Sequence, residues 1–341
     1  MKWTQQRWGK GLGMAALVVQ SYGNDREYLR AVFTVLTFVA HSAKREHVVL
    51  LYTDQPDFFR NYFHGLPVEY ITLTDSWMRE MRGDIDFLHR VKIGILENAF
   101  HRYPGAIAYA DSDSFFTGNP DHLLDQLEPA VSCMHKFEYT FESVRESPLP
   151  AGATLRTVSK FMDGHEFRLP DGQIMVATTQ LASWNAGVMF FHPSHLKWIP
   201  DVYSITNEIY RSTGHHASEQ YAFSIILQSR TQLRSIELVN YHYWYRVEKI
   251  IMDEFLRREL PESWANRPLD EKLGNAKCWS QRLPKKIRRH RLTLRDKSIQ
   301  AFNENRFGEG FRFGVRALIK FPFDLHFLRD MAYHTKRLLR V

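Results

Sequence analysis

Short apolar runs alternate with helical patterns through the first third of the chain, and this alternation constrains the fold more than any other feature. Segment 27–41 has the spacing of an amphipathic helix, whereas segment 48–53 is almost entirely apolar, as is typical of a strand covered on both faces. Alternating strands and helices predict an α/β fold with a mixed, mostly parallel sheet flanked by helices. The predicted strands are 15–22, 48–53, 68–73 and 106–110, and the predicted long helices are 27–41 and 87–101.

The pattern becomes less regular further along the chain. The stretch 135–182 contains several prolines and glycines and no clear periodicity, which indicates either a functional insertion or a plain surface excursion. The other predicted elements are a short helix at 121–127, strands at 130–134, 184–192 and 236–242, and helices at about 194–212 and 218–229.

The size and composition of the chain fit one large domain with an extension, or two domains. The chain has 341 residues, of which 44% are hydrophobic,. We predict a boundary after residue 245, followed by a helical, basic and amphipathic C-terminal extension at 246–341. The only two cysteines, Cys133 and Cys278, argue against a disulfide scaffold and fit a reducing compartment.

The N-terminus has a pattern that loosely resembles a signal peptide. Lys2, Arg7 and Lys10 precede an apolar stretch at 11–20. No small-residue cleavage pattern follows, so we interpret this stretch as the first core strand. No segment of the sequence reaches the roughly 20 apolar residues that a membrane span needs.

Asp111 and Asp113 directly follow the predicted strand at 106–110. Side chains alternate across a strand, so two carboxylates two residues apart point the same way. Divalent cations prefer oxygen ligands, and a cation held here could bind a diphosphate. Ligands of an open parallel sheet bind beyond the carboxyl ends of its strands, where the 22–25 loop also lies. The pair therefore predicts a metal site, although an isolated Asp-x-Asp is more often a solvated turn.

Two further motifs suit a phosphorylated ligand. Arg90 and Lys92, on the helix before this strand, could neutralise phosphate charge; the alternative is that they are ordinary surface cations. Asn185 and Gly187 lie within a predicted strand, where a glycine permits close approach of a ligand or of backbone. Asn185 could then bind a sugar hydroxyl, and the alternative for this motif is a β-bulge.

Taken together and in order, these motifs resemble the nucleotide-diphospho-sugar transferases of the GT-A fold, and most of all glycosyltransferase family 8. The resemblance extends from about residue 14 to 245 and implies a catalytic domain at 1–245, with 135–182 as an acceptor-side insertion. The matching motifs are Arg90-Val91-Lys92-Ile93-Gly94, Asp111-Ser112-Asp113, Asn185-Ala186-Gly187, Glu219-Gln220 and His242.

The resemblance also implies a role for each matching residue. Asp111, Asp113 and His242 would bind Mn²⁺ or Mg²⁺, and the imidazole ligand favours Mn²⁺. Glu219, Gln220 and Asp113 would be catalytic, with Gln220 near the anomeric carbon. The donor is expected to be a UDP-sugar. Its base and ribose would contact Tyr22 and Asn24, its phosphate or sugar would contact Arg90, and its sugar hydroxyls would contact Asn185 and Glu219. Lys92 and Ser112 would also bind the donor.

The chain departs from the family pattern in three places. The family often has Asp where this chain has Glu219, and an acidic pair where it has Tyr22-Gly23. The family's histidine is usually followed by a Gly-x-x-Lys-Pro-Trp stretch that binds diphosphate, and His242 is not. Arg246 or Lys249 could take over that contact.

The expected reaction is transfer of a glycosyl group with a nucleoside diphosphate leaving, and the family retains the anomeric configuration. No carboxylate nucleophile is evident apart from Glu219, so a front-side route, in which a diphosphate oxygen accepts the acceptor's proton, is plausible. An inverting enzyme needs a general base instead, and Asp163, Glu166 and Asp171 are its candidates.

The positive charge of the chain is concentrated in its tail. Residues 282–341 contain 16 Lys and Arg against 5 Asp and Glu, a net charge of +11, which leaves −4 for the other 281 residues. Aromatic and apolar residues alternate with cations at helical spacing from 311 to 329, which suits a helix on anionic lipid. The alternative is an amphipathic helix packed on the body. Nucleic-acid binding is a poorer explanation because the body is acidic.

A membrane-facing tail on a sugar transferase points to a lipid-linked or glycan acceptor of the bacterial envelope, such as lipopolysaccharide or capsule. We therefore expect a cytoplasmic protein on the inner face of the cytoplasmic membrane. Two other functions remain open, an aspartate-nucleophile phosphatase and an inactive membrane-bound scaffold on the same fold. The sequence leaves the oligomeric state open.

Overall fold

The computed structural model describes residues 14–146 and 152–339. The N-terminal cations Lys2, Arg7 and Lys10, and the prolines Pro148 and Pro150, lie outside the described residues. The strands are β1 (Ala15–Ser21), β2 (Val48–Thr53), β3 (Val68–Thr72), β4 (Ala106–Asp111), β5 (Ser114–Phe116), β6 (Val131–Met134), β7 (Phe137–Thr140), β8 (Glu166–Arg168), β9 (Ile174–Val176), β10 (Ala182–Trp184), β11 (Val188–Phe191), β12 (Gln232–Ser235) and β13 (Asn240–His242).

Helices alternate with these strands and then form the C-terminal part of the chain. The α-helices are α1 (Asp25–His41), α2 (Pro56–Arg60), α3 (Asp75–Arg82), α4 (Val91–Arg102), α5 (Asp121–Leu124), α6 (Gly152–Met162), α7 (Ile199–Thr213), α8 (Ser218–Arg230), α9 (Arg246–Glu259), α10 (Glu262–Ala265), α11 (Leu269–Arg288), α12 (Arg291–Asn303), α13 (Phe307–Lys320) and α14 (Leu325–Leu338). Short 3-10 turns cover Leu88–Arg90, Glu142–Val144 and Pro193–Trp198.

The described residues form a central seven-stranded sheet in the order β12-β6-β11-β4-β1-β2-β3. β11 runs antiparallel to its neighbours β4 and β6, and the other adjacent pairs are parallel. β2 is buried along its whole length, as its apolar sequence requires,. The predicted mixed, mostly parallel sheet flanked by helices is confirmed, and it is consistent with a GT-A fold.

A separate two-stranded ribbon is formed by β5 and β13, and it determines which residues lie next to the end of β4. The chain leaves β4 at Asp111, turns, and returns as β5, which pairs antiparallel with β13. In this register His242 lies opposite Ser114. The ribbon therefore brings a residue from late in the chain next to the Asp111–Asp113 turn.

Three predictions made from the sequence pattern are wrong in detail. The predicted strand 236–242 is a turn followed by β13, because Ile236 points into the core while Leu238 is 89% exposed and Val239 N donates to Ile236 O at 2.9 Å. The predicted strand 184–192 divides into β10 and β11. The stretch 135–182, predicted to lack regular elements, contains β7, α6 and the β8–β9 hairpin.

The helices after residue 245 fall into two groups by their packing. α9 to α11 share a core with the sheet and α1, as shown by Phe255 packing on Phe33 with ring centroids 6.2 Å apart. α12 to α14 enclose a small separate core that includes Phe302 and Phe327. The predicted division after residue 245 stays a prediction. Among the described residues, no helix is both long enough and apolar enough to cross a membrane.

Candidate metal and nucleotide site

The end of β4, the turn after it and the end of β13 bring three potential metal ligands together. Asp111, Asp113 and His242 each offer one ligand atom, and these atoms all lie within 4.8 Å of one another. A residue of α1 holds this turn in place. Thr34 Oγ1 donates to Ser112 O or Ser114 O, at 3.0 and 2.7 Å. The structure thus places the three predicted metal ligands in one cluster at the carboxyl edge of the sheet.

The orientation of the His242 ring is determined by a chain of hydrogen bonds. Glu138 Oε1 accepts from Asn185 Nδ2 at 3.0 Å, so Asn185 turns its Oδ1 towards His242 Nδ1, 2.8 Å away. Asn185 Oδ1 also accepts from Gly187 N at 3.0 Å. Since this oxygen only accepts, His242 Nδ1 must carry a proton. Metal-binding histidines commonly have their second nitrogen tied in this way.

His242 Nε2 faces Asp113 Oδ1 at 3.0 Å. With the ring proton on Nδ1, a neutral imidazole presents a lone pair at Nε2, and the carboxylate presents another. Two acceptors at this distance repel unless a proton or a cation lies between them. The donor set of two carboxylates and one imidazole nitrogen therefore fits a divalent transition metal.

Gly187 leaves the space that the His242 ring fills. A Cβ built at Gly187 would lie 2.0 Å from His242 Cε1 and 2.3 Å from His242 Nδ1. No side chain can be accommodated there while the ring keeps its position. The sequence predicted close approach of a ligand or of backbone at Gly187, or a β-bulge; in the structure it is the side chain of His242 that approaches Gly187.

Asp111 is bound on both of its carboxylate oxygens. Tyr109 OH donates to Oδ1, and Lys92 Nζ lies 3.2 Å from Oδ2. Lys92 is buried, donates also to Ala186 O at 3.2 Å, and lies 3.6 Å from Glu219 Oε1. Burial disfavours the ammonium, but the carboxylates of Asp111 and Glu219 outweigh it and raise the pKa of Lys92. Lys92 is therefore a fixed positive charge inside the cluster.

Asp113 has a second cationic neighbour that the sequence motifs do not contain. Lys249 Nζ, on α9, lies 2.6 Å from Asp113 Oδ2. Burial disfavours the carboxylate of Asp113, but His242 and Lys249 outweigh this effect and hold its pKa well below the usual range. Asp113 is ionised at neutral pH and available to bind a cation.

Glu219 and Gln220 lie in the first turn of α8 and have different surroundings. Glu219 is buried, and its Oε2 has no hydrogen-bond partner among the described residues. Gln220 Oε1 accepts from Ala186 N at 3.2 Å, and its Nε2 donates to Glu138 Oε2 at 2.8 Å. Gln220 thus holds the Asn185–Gly187 bend, whereas Glu219 keeps one acceptor free. Their predicted catalytic roles stay predictions.

The other predicted donor-binding residues lie at different distances from the cluster. Tyr22 follows β1, in which Gln20 pairs in register with Asp111, and burial and the charge of Asp111 both raise the pKa of Tyr22. Ser112 Oγ donates to Glu27 Oε2 at 3.1 Å. Asn24 caps α1, with its Oδ1 accepting from Arg26 N at 3.1 Å.

Arg90 is not brought to the cluster by any interaction of the described residues. Its Nε donates to Asn207 Oδ1 at 3.0 Å, its NH1 donates to Met81 O at 2.6 Å, and its guanidinium lies 4.4 Å from the centre of the Tyr203 ring. These contacts join the start of α4 to α3 and α7. The predicted role of Arg90 in donor binding stays a prediction.

The three candidate general bases lie on the surface of the 135–182 segment. Asp163 pairs with Arg145 at 3.0 Å, Glu166 is exposed on β8, and Asp171 accepts from Gln173 N at 2.9 Å in the hairpin turn. Within the described residues, none of these contacts involves the metal-ligand cluster.

Several residues of the site were not predicted from the sequence. Tyr109 is two residues before Asp111 on the same face of β4, so its position could have been inferred from strand alternation. Glu138 could not be predicted from its neighbours in the sequence. It accepts hydrogen bonds from Asn185 and Gln220, and both of these residues lie far along the chain. The same holds for Asp253, which binds Arg30 through two contacts of 2.7 Å and fastens α9 to α1.

Comparison with known proteins gives distant structural likenesses. No protein-family model matches the chain, and no curated protein sequence matches it. The chain is similar to mouse xyloside xylosyltransferase 1 in its apo form, with 13% identity, a TM-score of 0.38, and coverage of 65% of this chain and 84% of that one. It is also similar to galactosyltransferase LgtC in complex with donor and acceptor sugar analogs, with 11% identity, a TM-score of 0.47, and coverage of 73% and 98%. These likenesses are too distant to assign an activity.

Proposed function

We propose that this chain is a metal-dependent glycosyltransferase of the family 8 type, which transfers a hexosyl group from a UDP-sugar to a glycan or glycolipid acceptor. The observation that carries the proposal is the arrangement of Asp111, Asp113 and His242 at the carboxyl edge of a mostly parallel sheet, with Nδ1 of the histidine committed to Asn185. This edge is where such sheets bind phosphorylated ligands.

Mn²⁺ or Mg²⁺ is proposed to be held by Asp111, Asp113 and His242. A bound divalent cation would supply charge stabilisation for the leaving diphosphate. The chain itself adds positive charge through Lys92, which is buried beside Asp111 and has no freedom to turn away. Tyr22, next to Asp111, is proposed to contact the nucleoside.

Glu219 is proposed to bind the sugar that is transferred. Its Oε2 is a buried acceptor without a partner, and such an oxygen is costly to bury unless a ligand satisfies it,. A sugar hydroxyl would do so. Transfer with retention is proposed, by the front-side route or with Glu219 as the nucleophile. The segment 135–182 is proposed to meet the acceptor, because its strand β7 supplies Glu138 to the site.

Turnover of nucleotide sugars tests the proposal. The full chain should release UDP from at least one UDP-hexose when Mn²⁺ is present, and chelation of the metal should abolish the release. The variant Asp270→Asn, which changes an exposed carboxylate paired with Arg45 at 2.9 Å, is the control and should release UDP like the wild type. Phosphate release from a generic ester, with no cleavage of sugar nucleotides, would instead identify a phosphatase. Inactivity towards both substrates, with no nucleotide binding, would identify a scaffold.

The C-terminal helices are proposed to bind an anionic membrane. One face of α13 packs on α12 and α14, with Gly310, Gly314 and Ala317 buried. The opposite face is exposed and combines cations with apolar side chains at positions that share a helix face, namely Arg312, Val315, Arg316, Ile319 and Lys320. Such a combination suits the boundary between anionic headgroups and acyl chains. The proposed location is the inner face of the cytoplasmic membrane, with an acceptor of the cell envelope.

Serine substitutions of Ile319, on this face, and of Phe323, in the turn after α13, should release the protein from lipid. Ile319 and Phe323 are 77% and 81% exposed, so Ile319→Ser with Phe323→Ser should leave the fold intact. We expect at least about a tenfold weaker association with phosphatidylglycerol vesicles in co-sedimentation, because two apolar side chains no longer enter the membrane. Leu238→Ser, at an equally exposed position of the body, is the control. Equal binding of all three proteins would contradict the proposal.

A further inference from the structure

Glu138 is the extra residue of a β-bulge beside the metal-ligand cluster. The residue before it, Phe137, pairs with Trp184 on β10. The residue after it, Tyr139, pairs with Ser183, which directly precedes Trp184, so Glu138 itself has no partner in the register. Bulges redirect a side chain and are frequent next to active sites. From this position Glu138 forms hydrogen bonds with residues of β10, of α8 and of the bend that follows β10.

The carboxylate of Glu138 accepts three hydrogen bonds from neutral donors. Its Oε1 accepts from Asn185 Nδ2 at 3.0 Å. Its Oε2 accepts from Gln220 Nε2 at 2.8 Å and from Ser183 Oγ at 3.1 Å. One carboxylate thus determines which way two amides of the site point, one on each of its oxygens.

Neither amide can turn over in response to a change at Glu138, because a backbone N–H holds the oxygen of each. Asn185 Oδ1 accepts from Gly187 N at 3.0 Å, and Gln220 Oε1 accepts from Ala186 N at 3.2 Å. A flipped amide would place its NH₂ group against that N–H, so that two donors would face each other. The side chain at position 138 must therefore accept on both of its ends, which a carboxylate does and an amide cannot.

We propose that Glu138 is a positioning residue for the metal site. By holding the amide of Asn185, it keeps Asn185 Oδ1 against His242 Nδ1, 2.8 Å away, and so leaves the lone pair of His242 Nε2 for a cation,. The same carboxylate fixes the amide of Gln220. The inference rests on the proposed metal-dependent function. It adds that metal affinity depends on a carboxylate that reaches His242 through two successive hydrogen bonds.

The variant Glu138→Gln is expected to bind Mn²⁺ about tenfold more weakly, as is usual for loss of an outer-shell partner. One end of the new amide is a donor, and whichever way it turns, it faces the NH₂ group of Asn185 or of Gln220. Calorimetric titration of the full chain with Mn²⁺ measures the affinity, at a temperature at which circular dichroism shows the variant to be folded. Glu142→Gln, which changes an exposed carboxylate of the same segment, is the control and should bind Mn²⁺ like the wild type.

Exchanging the two interacting groups tests the positioning role itself. In the double variant Glu138→Gln with Asn185→Asp, the new amide donates to the new carboxylate, which still accepts from Gly187 N and His242 Nδ1. The oxygen of the new amide still accepts from Gln220. We expect this double variant to recover most of the Mn²⁺ affinity that Glu138→Gln loses. Asn185→Asp alone should bind Mn²⁺ more weakly than the double variant, because two carboxylates then face each other across the 3.0 Å contact,.

Recovery by the exchange distinguishes positioning from a general structural role, because a structural loss would be at least as large in the double variant. If Glu138→Gln does not fold, Asn185→Asp and the double variant are compared, and the double variant must bind Mn²⁺ more tightly.

The outcomes also separate this inference from the proposed function. The role of Glu138 is overturned, and the proposed function stands, if the wild type binds UDP in a metal-dependent way while Glu138→Gln binds Mn²⁺ like the wild type. The same conclusion follows if the double variant binds Mn²⁺ no better than the single variants. A folded wild type that binds neither Mn²⁺ nor UDP would overturn both.

Discussion

Replacing Asp113 with asparagine is expected to weaken Mn²⁺ binding by at least about a hundredfold, since loss of an outer-shell partner alone typically costs 10- to 100-fold. Asp113 is the carboxylate that faces both His242 Nε2 and Lys249 Nζ, at 3.0 and 2.6 Å. Asparagine keeps the size of the side chain but removes the charge that attracts the cation. Calorimetric titration of Mn²⁺, in the presence and absence of UDP, measures the effect.

The control for this substitution is the surface variant Asp163→Asn, which also removes one carboxylate. It should bind Mn²⁺ like the wild type, because Asp163 pairs with Arg145 on the surface. The melting temperature of Asp113→Asn should fall, because the charges of His242 and Lys249 that hold the pKa of Asp113 below its usual range also stabilise its ionised form in the folded chain,; circular dichroism checks that the variant is folded at the temperature of the titration. Wild-type Mn²⁺ affinity in Asp113→Asn would mean that the cluster is not the metal site.

Substituting Gly187 with alanine is expected to damage both the fold and the metal site. The new Cβ would lie 2.0 Å from His242 Cε1, so the ring must leave its place between Asn185 and Asp113. Overpacking of a buried position typically costs about 1–3 kcal/mol of folding free energy. We also expect Mn²⁺ affinity to fall about as far as in His242→Ala, because the imidazole no longer faces Asp113.

A second substitution distinguishes this clash from a general loss of stability. The double variant Gly187→Ala with His242→Ala should recover most of the lost stability, because the shortened side chain leaves space for the new methyl group, while Mn²⁺ binding stays weak. As a matched control, Gly274→Ala on α11 places a Cβ with no atom within 4 Å and should gain up to about 1 kcal/mol. If Gly187→Ala melts and binds Mn²⁺ like the wild type, the described packing of His242 is wrong.

The sheet was largely predictable because its strands are buried and almost uniformly apolar. β2 agrees with its predicted bounds, and β1 and β4 agree within one residue. The strand predicted at 236–242 was wrong in its bounds. An apolar run of this length has the same sequence pattern whether it forms one strand or a turn followed by a shorter strand. Burial of Ile236 and exposure of Leu238 decide between the two, and both depend on tertiary packing.

The candidate site was predictable where its residues belong to motifs. Asp111, Asp113 and His242 come together through the pairing of β5 with β13, which joins residues about 130 positions apart in the chain. Lys249 was suggested from sequence only as a diphosphate contact, and its position beside Asp113 comes from the fold. Glu138 belongs to no motif, and only the fold brings it to Asn185, so its importance could not be inferred from sequence.

Arg90 and Lys92 illustrate a limit of motif reasoning. Residues two apart on a helix point roughly 200° from each other, so both side chains cannot face one cluster. In this chain Lys92 lies against Asp111, while Arg90 contacts Met81 O, Asn207 and Tyr203 on the other side. Helical geometry alone would have indicated that only one of the two could be near the metal ligands.

Titration of the full chain with UDP, with and without Mn²⁺, tests the central claim most directly. The site described here predicts that UDP binds measurably with Mn²⁺ and at least about tenfold more weakly without it, because Asp111 and Asp113 repel a diphosphate unless a cation lies between them. A parallel titration with GDP tests the preference for uracil. Equal UDP affinity with and without Mn²⁺, or no binding of either nucleotide to the folded protein, would contradict the account.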